Sequence, residues 1–108
     1  MKQLNWLTAA SSVFLLSACL GNTVAERSDD GRLLAAIETE GCSIDPSNPP
    51  SVDYKNAYEL NPGMKRTPEN DELWAKVRIR TLKEQGHLIE ETDANGDVQV
   101  RSVYGNCA

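Results

Sequence analysis

The chain has 108 residues, 16 acidic against 11 basic side chains, a net charge of −5, three cysteines and a single histidine. That length holds one small domain. The acidic balance gives no electrostatic reason to bind nucleic acid, and one histidine excludes a multi-histidine metal site.

Met1-Lys2-Gln3 carries one positive charge, and Leu4 to Ala18 follow with none, up to Cys19. A basic start and an apolar run of this kind mark a targeting segment. The run is shorter than the roughly 20 residues a spanning helix needs, and Asn5, Thr8, Ser11 and Ser12 dilute it. An ordinary secretory site has small residues at both −3 and −1, whereas Leu16 occupies −3 here. Leu16-Ser17-Ala18-Cys19 instead resembles the lipobox of bacterial lipoprotein precursors. The resemblance implies that residues 1–18 are a signal peptide and that Cys19 is joined to diacylglycerol and becomes the acylated first residue. The mature chain is then a lipoprotein of the bacterial cell envelope, held by more than one acyl chain and therefore stably. Leu20 in place of Asp resembles the pattern of enterobacterial lipoproteins passed on to the outer membrane, here facing the periplasm.

Residues 19–27 read as lipidated N-terminus and tether, and 28–108 as the domain. Loss of Lys2 with the leader moves the net charge from −5 to −6. Cys42 and Cys107 remain, and an even number in a small exported domain reads as a disulfide. Closing a loop of about 66 residues, it is worth about 4 kcal/mol by chain entropy.

Ser28 as N-cap, acidic Asp29 and Asp30, the apolar set Leu33, Leu34, Ala36 and Ile37, and Gly41 at the end predict a first helix over Asp29–Glu40. The prolines and turn formers of Ser43–Pro50 predict a loop. A short second helix is expected from a Ser51 cap through Leu60, with Val52, Ala57 and Leu60 partly buried beside Tyr54 and Tyr58. The third helix has the clearest signals. Thr67 caps it, Pro68 takes the first position, Glu69, Asp71 and Glu72 fill the first turns, and Gly86 ends it. Two arcs, Leu73, Trp74 and Val77 on one and Ala75, Ile79 and Leu82 on the other, predict burial on two sides.

From His87 the period changes. Leu88-Ile89, the turn Asp93-Ala94-Asn95-Gly96 and the alternating Val98–Arg101 predict a two-stranded hairpin. The expected fold class is α+β, a small three-helix domain followed by a C-terminal β-hairpin and closed by one disulfide. This order resembles that of winged-helix domains, with the third helix and hairpin as helix and wing. Fold alone carries no function, and DNA binding is not carried over to an acidic exported chain.

The remaining motifs have bland readings beside sharper ones. Asp93, Asn95 and Asp97 resemble the start of an EF-hand loop, but Val98 stands where the loop needs Gly and Tyr104 where it needs Glu, so a hairpin turn is expected. Lys76, Arg80 and Lys83 form a stripe on the third helix, with Lys65 and Arg66 ahead of it, that could face an anionic surface. The plainer reading is a solvated face with Glu72–Lys76 and Arg80–Glu84 pairs. His87 and Ser102 lack any nucleophile-elbow context, adjacent Glu90 and Glu91 point to opposite strand faces, and one of them is expected to pair with Arg101. Trp74 reads as core.

No catalytic set, metal site or cofactor is expected. The expected function is a non-enzymatic binding or structural module whose partners are the membrane, through the N-terminal lipid, and an unidentified envelope protein. The alternative is an envelope inhibitor or exclusion factor against a lytic enzyme, phage or plasmid. Small lipoprotein lysozyme inhibitors are similar in size, tether and C-terminal cysteine, but they are β-barrels.

Overall fold

A computed structural model of the chain describes residues 23–108. Residues 1–22, and with them Cys19 and the Leu16–Ala18 motif, lie outside the described residues. Helix α1 spans Asp29–Thr39, strand β1 Ser43–Ile44, helix α2 Lys55–Leu60, helix α3 Pro68–Glu84, strand β2 Leu88–Thr92 and strand β3 Val98–Ser102, before a 3₁₀ turn at Gly105–Cys107. The fold is mixed helix and sheet, as expected, with the Cys42–Cys107 disulfide formed across 5.6 Å between Cα atoms.

Local chemistry sets the ends of the two longer helices. The Ser28 hydroxyl accepts the Gly31 N–H at 3.0 Å, and the Thr67 hydroxyl accepts that of Asn70 at 3.1 Å, each satisfying a donor that has no partner within the helix. Both C-termini close with paired reverse bonds. In α1 the Gly41 and Cys42 amides donate to Glu38 and Ile37, and in α3 the Gly86 and His87 amides donate to Lys83 and Leu82. Gly41 and Gly86 take the positive φ this geometry requires, at 94° and 82°. Cys42 follows at φ 71°, a left-handed conformation rare for a residue with a side chain. There its sulfur meets Cys107 while its carbonyl accepts the Ser102 N–H.

The expected two-stranded hairpin has a third strand. β1 pairs antiparallel with β3, Ile44 opposite Val100, giving the order β1-β3-β2. The loop expected at Ser43 and Ile44 is therefore strand, because the end of α1 and the disulfide deliver the two residues alongside β3. α2 begins at Lys55, after Tyr54, and not at the expected Ser51 cap. The segment that follows Pro49-Pro50 is neither helix nor strand until Lys55.

One sheet face carries Ile44, Leu88, Val100 and Ser102 into an aliphatic core with Leu33, Leu34 and Ile37 of α1 and Ile79 and Leu82 of α3. The other face carries Ile89, Glu91, Gln99 and Arg101, and Arg101 bonds Glu91 at 3.0 Å, so Glu91 is the partner of the two candidates. A second cluster of Tyr54, Tyr58 and Ala75 lies between α2 and the first half of α3, with Trp74, Met64 and Val52 against it. The Ala75, Ile79 and Leu82 arc of α3 is buried as expected. The other arc is not, since Leu73 is 51 % exposed and Trp74 and Val77 are half-buried. Leu60, expected to be partly buried, is 82 % exposed because α2 ends there and turns its last side chain outward.

Candidate functional site

The densest polar structure is built on Asp29, whose side chain is buried in the first turn of α1. One carboxylate oxygen accepts the Asn56 N–H at 3.0 Å and the other the Ala57 N–H at 2.9 Å, so a side chain of α1 caps the N-terminus of α2. Tyr54, the residue at that cap position, supplies no side-chain bond of its own. Arg32, one turn along, bonds Asp29, the Arg27 carbonyl and, at 2.8 Å, the Asp53 carbonyl. Asp53 in turn receives Arg66 at 2.8 Å, and the Arg66 guanidinium lies 4.9 Å over the Tyr58 ring. The Tyr58 hydroxyl donates to Asp71 at 2.6 Å. Two buried polar atoms of this region, Tyr54 Oη and Trp74 Nε1, have no hydrogen-bond partner among the described residues. Burial, reinforced by Asp71 and Asp29, pushes the Tyr54 hydroxyl up to about 12.

A cleft of about 220 Å³ opens between the first turn of α1, the end of α2 and α3, lined among others by Asp30, Asn61, Leu60, Trp74 and Arg78. Asp30 pairs with Arg78 at 3.4 Å. Burial raises the Asp30 carboxyl above the ordinary carboxylate value, opposed by Arg78.

A neighbouring cleft shares Ser28 and Asp30 with the first and is lined by Thr23, Val24, Gln85 and His87. It forms because the segment before α1, expected as a plain tether, is fastened to the domain. The Val24 amide donates to the Tyr104 hydroxyl at 2.9 Å, and that hydroxyl donates to the Val24 carbonyl at 3.3 Å. A Cβ on Gly31 would stand 2.1 Å from the Ala25 carbonyl oxygen, so glycine there lets the segment lie against α1. The His87 ring meets the Tyr104 ring edge-on at 4.8 Å. Ser102 is buried and accepts the Tyr104 N–H at 3.2 Å, bracing the end of β3.

The basic stripe divides. Lys76 pairs with Glu72 at 3.4 Å as expected, but Lys83 reaches Glu90 on β2 at 3.4 Å. The expected Arg80–Glu84 pair is not formed, and among the described residues Arg80 makes no ion pair. Around the Asp93 turn the carboxylate accepts the Asn95 and Asp97 amides at 2.8 and 3.0 Å, which spends it on the hairpin. Among the described residues there is no group of three or more His, Cys, Asp or Glu that could hold a metal ion. No helix among them is long and apolar enough to cross a membrane.

Asp29, Arg32 and Tyr104 are the residues sequence reading missed. Asp29 reads as an ordinary first-turn acid, and nothing local distinguishes a carboxylate that caps its own helix from one that caps another. Comparison with protein-family models, with curated proteins and with solved structures finds no match for this chain.

Proposed function

We propose that this chain is a lipoprotein of the bacterial cell envelope, anchored through Cys19, whose small disulfide-stapled domain acts without chemistry of its own as a binding module. The observation that carries the reading is Leu16-Ser17-Ala18-Cys19 at the end of an uncharged apolar run. The Cys42–Cys107 bridge supports it, since a disulfide in a small domain belongs to an oxidising compartment. So does the fastening of Val24 to Tyr104, which ties the domain to the chain a few residues after Cys19. In its finer form the architecture is winged-helix-like, on the order α1, α2, α3 and hairpin. The acidic balance argues against nucleic acid as a partner. An inhibitor of the β-barrel lipoprotein type finds no support in an open three-stranded sheet with three helices.

The test is to produce the full precursor in a diderm bacterium, purify it from membranes by a C-terminal tag, and measure its intact mass and what co-purifies. The expected product starts at an acylated Cys19 and weighs two hydrogens less than the dithiol form. A soluble, unacylated product overturns the reading. A co-purifying lytic enzyme would shift the role to inhibition.

A further inference from the structure

We infer that the α2–α3 flank bearing Leu60, Leu73, Trp74 and Val77 is a membrane-contact face, and that the domain lies against the bilayer through it. The inference rests on acylation of Cys19 and deepens that reading by naming the surface the lipid brings down.

Four Cα-to-Cα steps separate Cys19 from Thr23, so the acylated residue stands at most about 14 Å from Thr23, the first described residue. That point is fixed, because Tyr104 holds both backbone groups of Val24 and the next residues lie against Gly31. A domain on so short a leash presents to the bilayer only the surface around its exit. The exit cleft is continuous, through Ser28 and Asp30, with the cleft lined by Leu60 and Trp74. Leu73 and Val77 extend the same flank along α3, one helical turn apart and beside Trp74. Leu60, 82 % exposed, lines the cleft that continues from the exit, and Leu73, 51 % exposed, stands next to Trp74 in α3.

Glu59 and Glu72 are paired with Lys55 and Lys76, while Glu69, one turn before Leu73, makes no ion pair among the described residues. Arg80, one turn beyond Lys76, keeps its charge unpaired among the described residues and long enough to reach headgroup phosphates. Trp74 is half-buried and lines the cleft, with its indole N–H turned away from solvent.

Trp74 also provides the probe. Once residues 1–18 are removed it is the only tryptophan of the chain. The protein purified from membranes is reconstituted in phosphatidylethanolamine and phosphatidylglycerol vesicles made with ordinary or acyl-brominated lipid. For a face sunk ~5–10 Å into the headgroup–acyl boundary, brominated lipid should cut Trp74 emission roughly twofold. The doubly substituted Leu60→Asp, Leu73→Asp protein, changed only at exposed positions and with an unchanged far-UV spectrum, should lose that quenching. If an acylated protein shows equal emission in both vesicles, or is quenched as strongly with the two aspartates, this face does not touch the bilayer, although the anchor stands. A product whose mass shows no acyl chain at Cys19 removes both the anchor and the contact.

Discussion

The packing around Leu33, Ile37, Leu82 and Val100 is aliphatic, whereas the packing around Tyr54, Tyr58 and Ala75 is aromatic and wired by polar contacts. The first joins α1, α3 and all three strands and is locked by the Cys42–Cys107 bridge. The second seats α2, a helix of six residues too short to hold itself, on one carboxylate and two arginines. Apolar burial is non-directional and sets whether the chain collapses. Directional polar contacts set where α2 stands, and with it the exposed Leu60.

The largest effect is expected from the staple. Cys42→Ser with Cys107→Ser should cost about 4 kcal/mol, read from the urea midpoint of the purified protein. A midpoint that stays in place would mean the aliphatic half holds without its bridge, and the contrast between the halves would lose its first term. Asp29→Asn comes next, at about 1–3 kcal/mol, because it removes the charge that two α2 amides and Arg32 share. Hydrogen exchange should then open Asn56 and Ala57 well before β3. Equal acceleration of β3 would show one cooperative unit and erase the comparison.

Tyr54→Phe acts in the opposite sense. It deletes a buried hydroxyl with no partner among the described residues and should leave stability unchanged or raise it by about 1 kcal/mol. A loss of similar size would reveal a hydrogen bond to that hydroxyl. The same group gives the pH dependence. Tyr54 ionises near 10 when unfolded but only at about 12 when folded, and Tyr58 is raised as well, so the unfolded chain releases protons first. Stability present below pH 10 is therefore lost as pH climbs toward about 12, and the fall should be shallower in the Phe variant, measured by urea unfolding across that window. The smallest effect belongs to Arg101→Ala on the solvent-facing side of the sheet, within about 1 kcal/mol, since its pair with Glu91 is exposed.

What is legible in the sequence is what neighbouring residues decide. Ser28, Thr67-Pro68 and Gly86 act within a turn of where they stand, and all three mark helix ends as read. The Glu72–Lys76 pair is equally local. β1 is not legible, since two residues carry no period and their partner lies nearly sixty positions away. The α2 start escapes sequence reading because its cap comes from Asp29, 26 positions before Lys55, and not from Ser51. Arg80 and Lys83 show the limit of helix-surface rules, since Lys83 prefers a glutamate that only the folded hairpin brings near. The fastening of Val24 by Tyr104, on which the candidate contact face depends, spans 80 positions and has no local signature at all.

That fastening also decides how the domain bears load. A pull on the chain ahead of residue 23 enters the fold at Val24 and passes through the Tyr104 hydroxyl to the backbone just after β3, the central strand. Three residues further on it meets Cys107, and through the covalent bridge the end of α1. While those two hydrogen bonds hold, the force runs along the cross-linked side of the molecule; once they open it passes along the backbone to Asp29, the residue that caps α2. Strain applied at the N-terminus spends itself first on two hydrogen bonds that can re-form, before any part of either core has to separate.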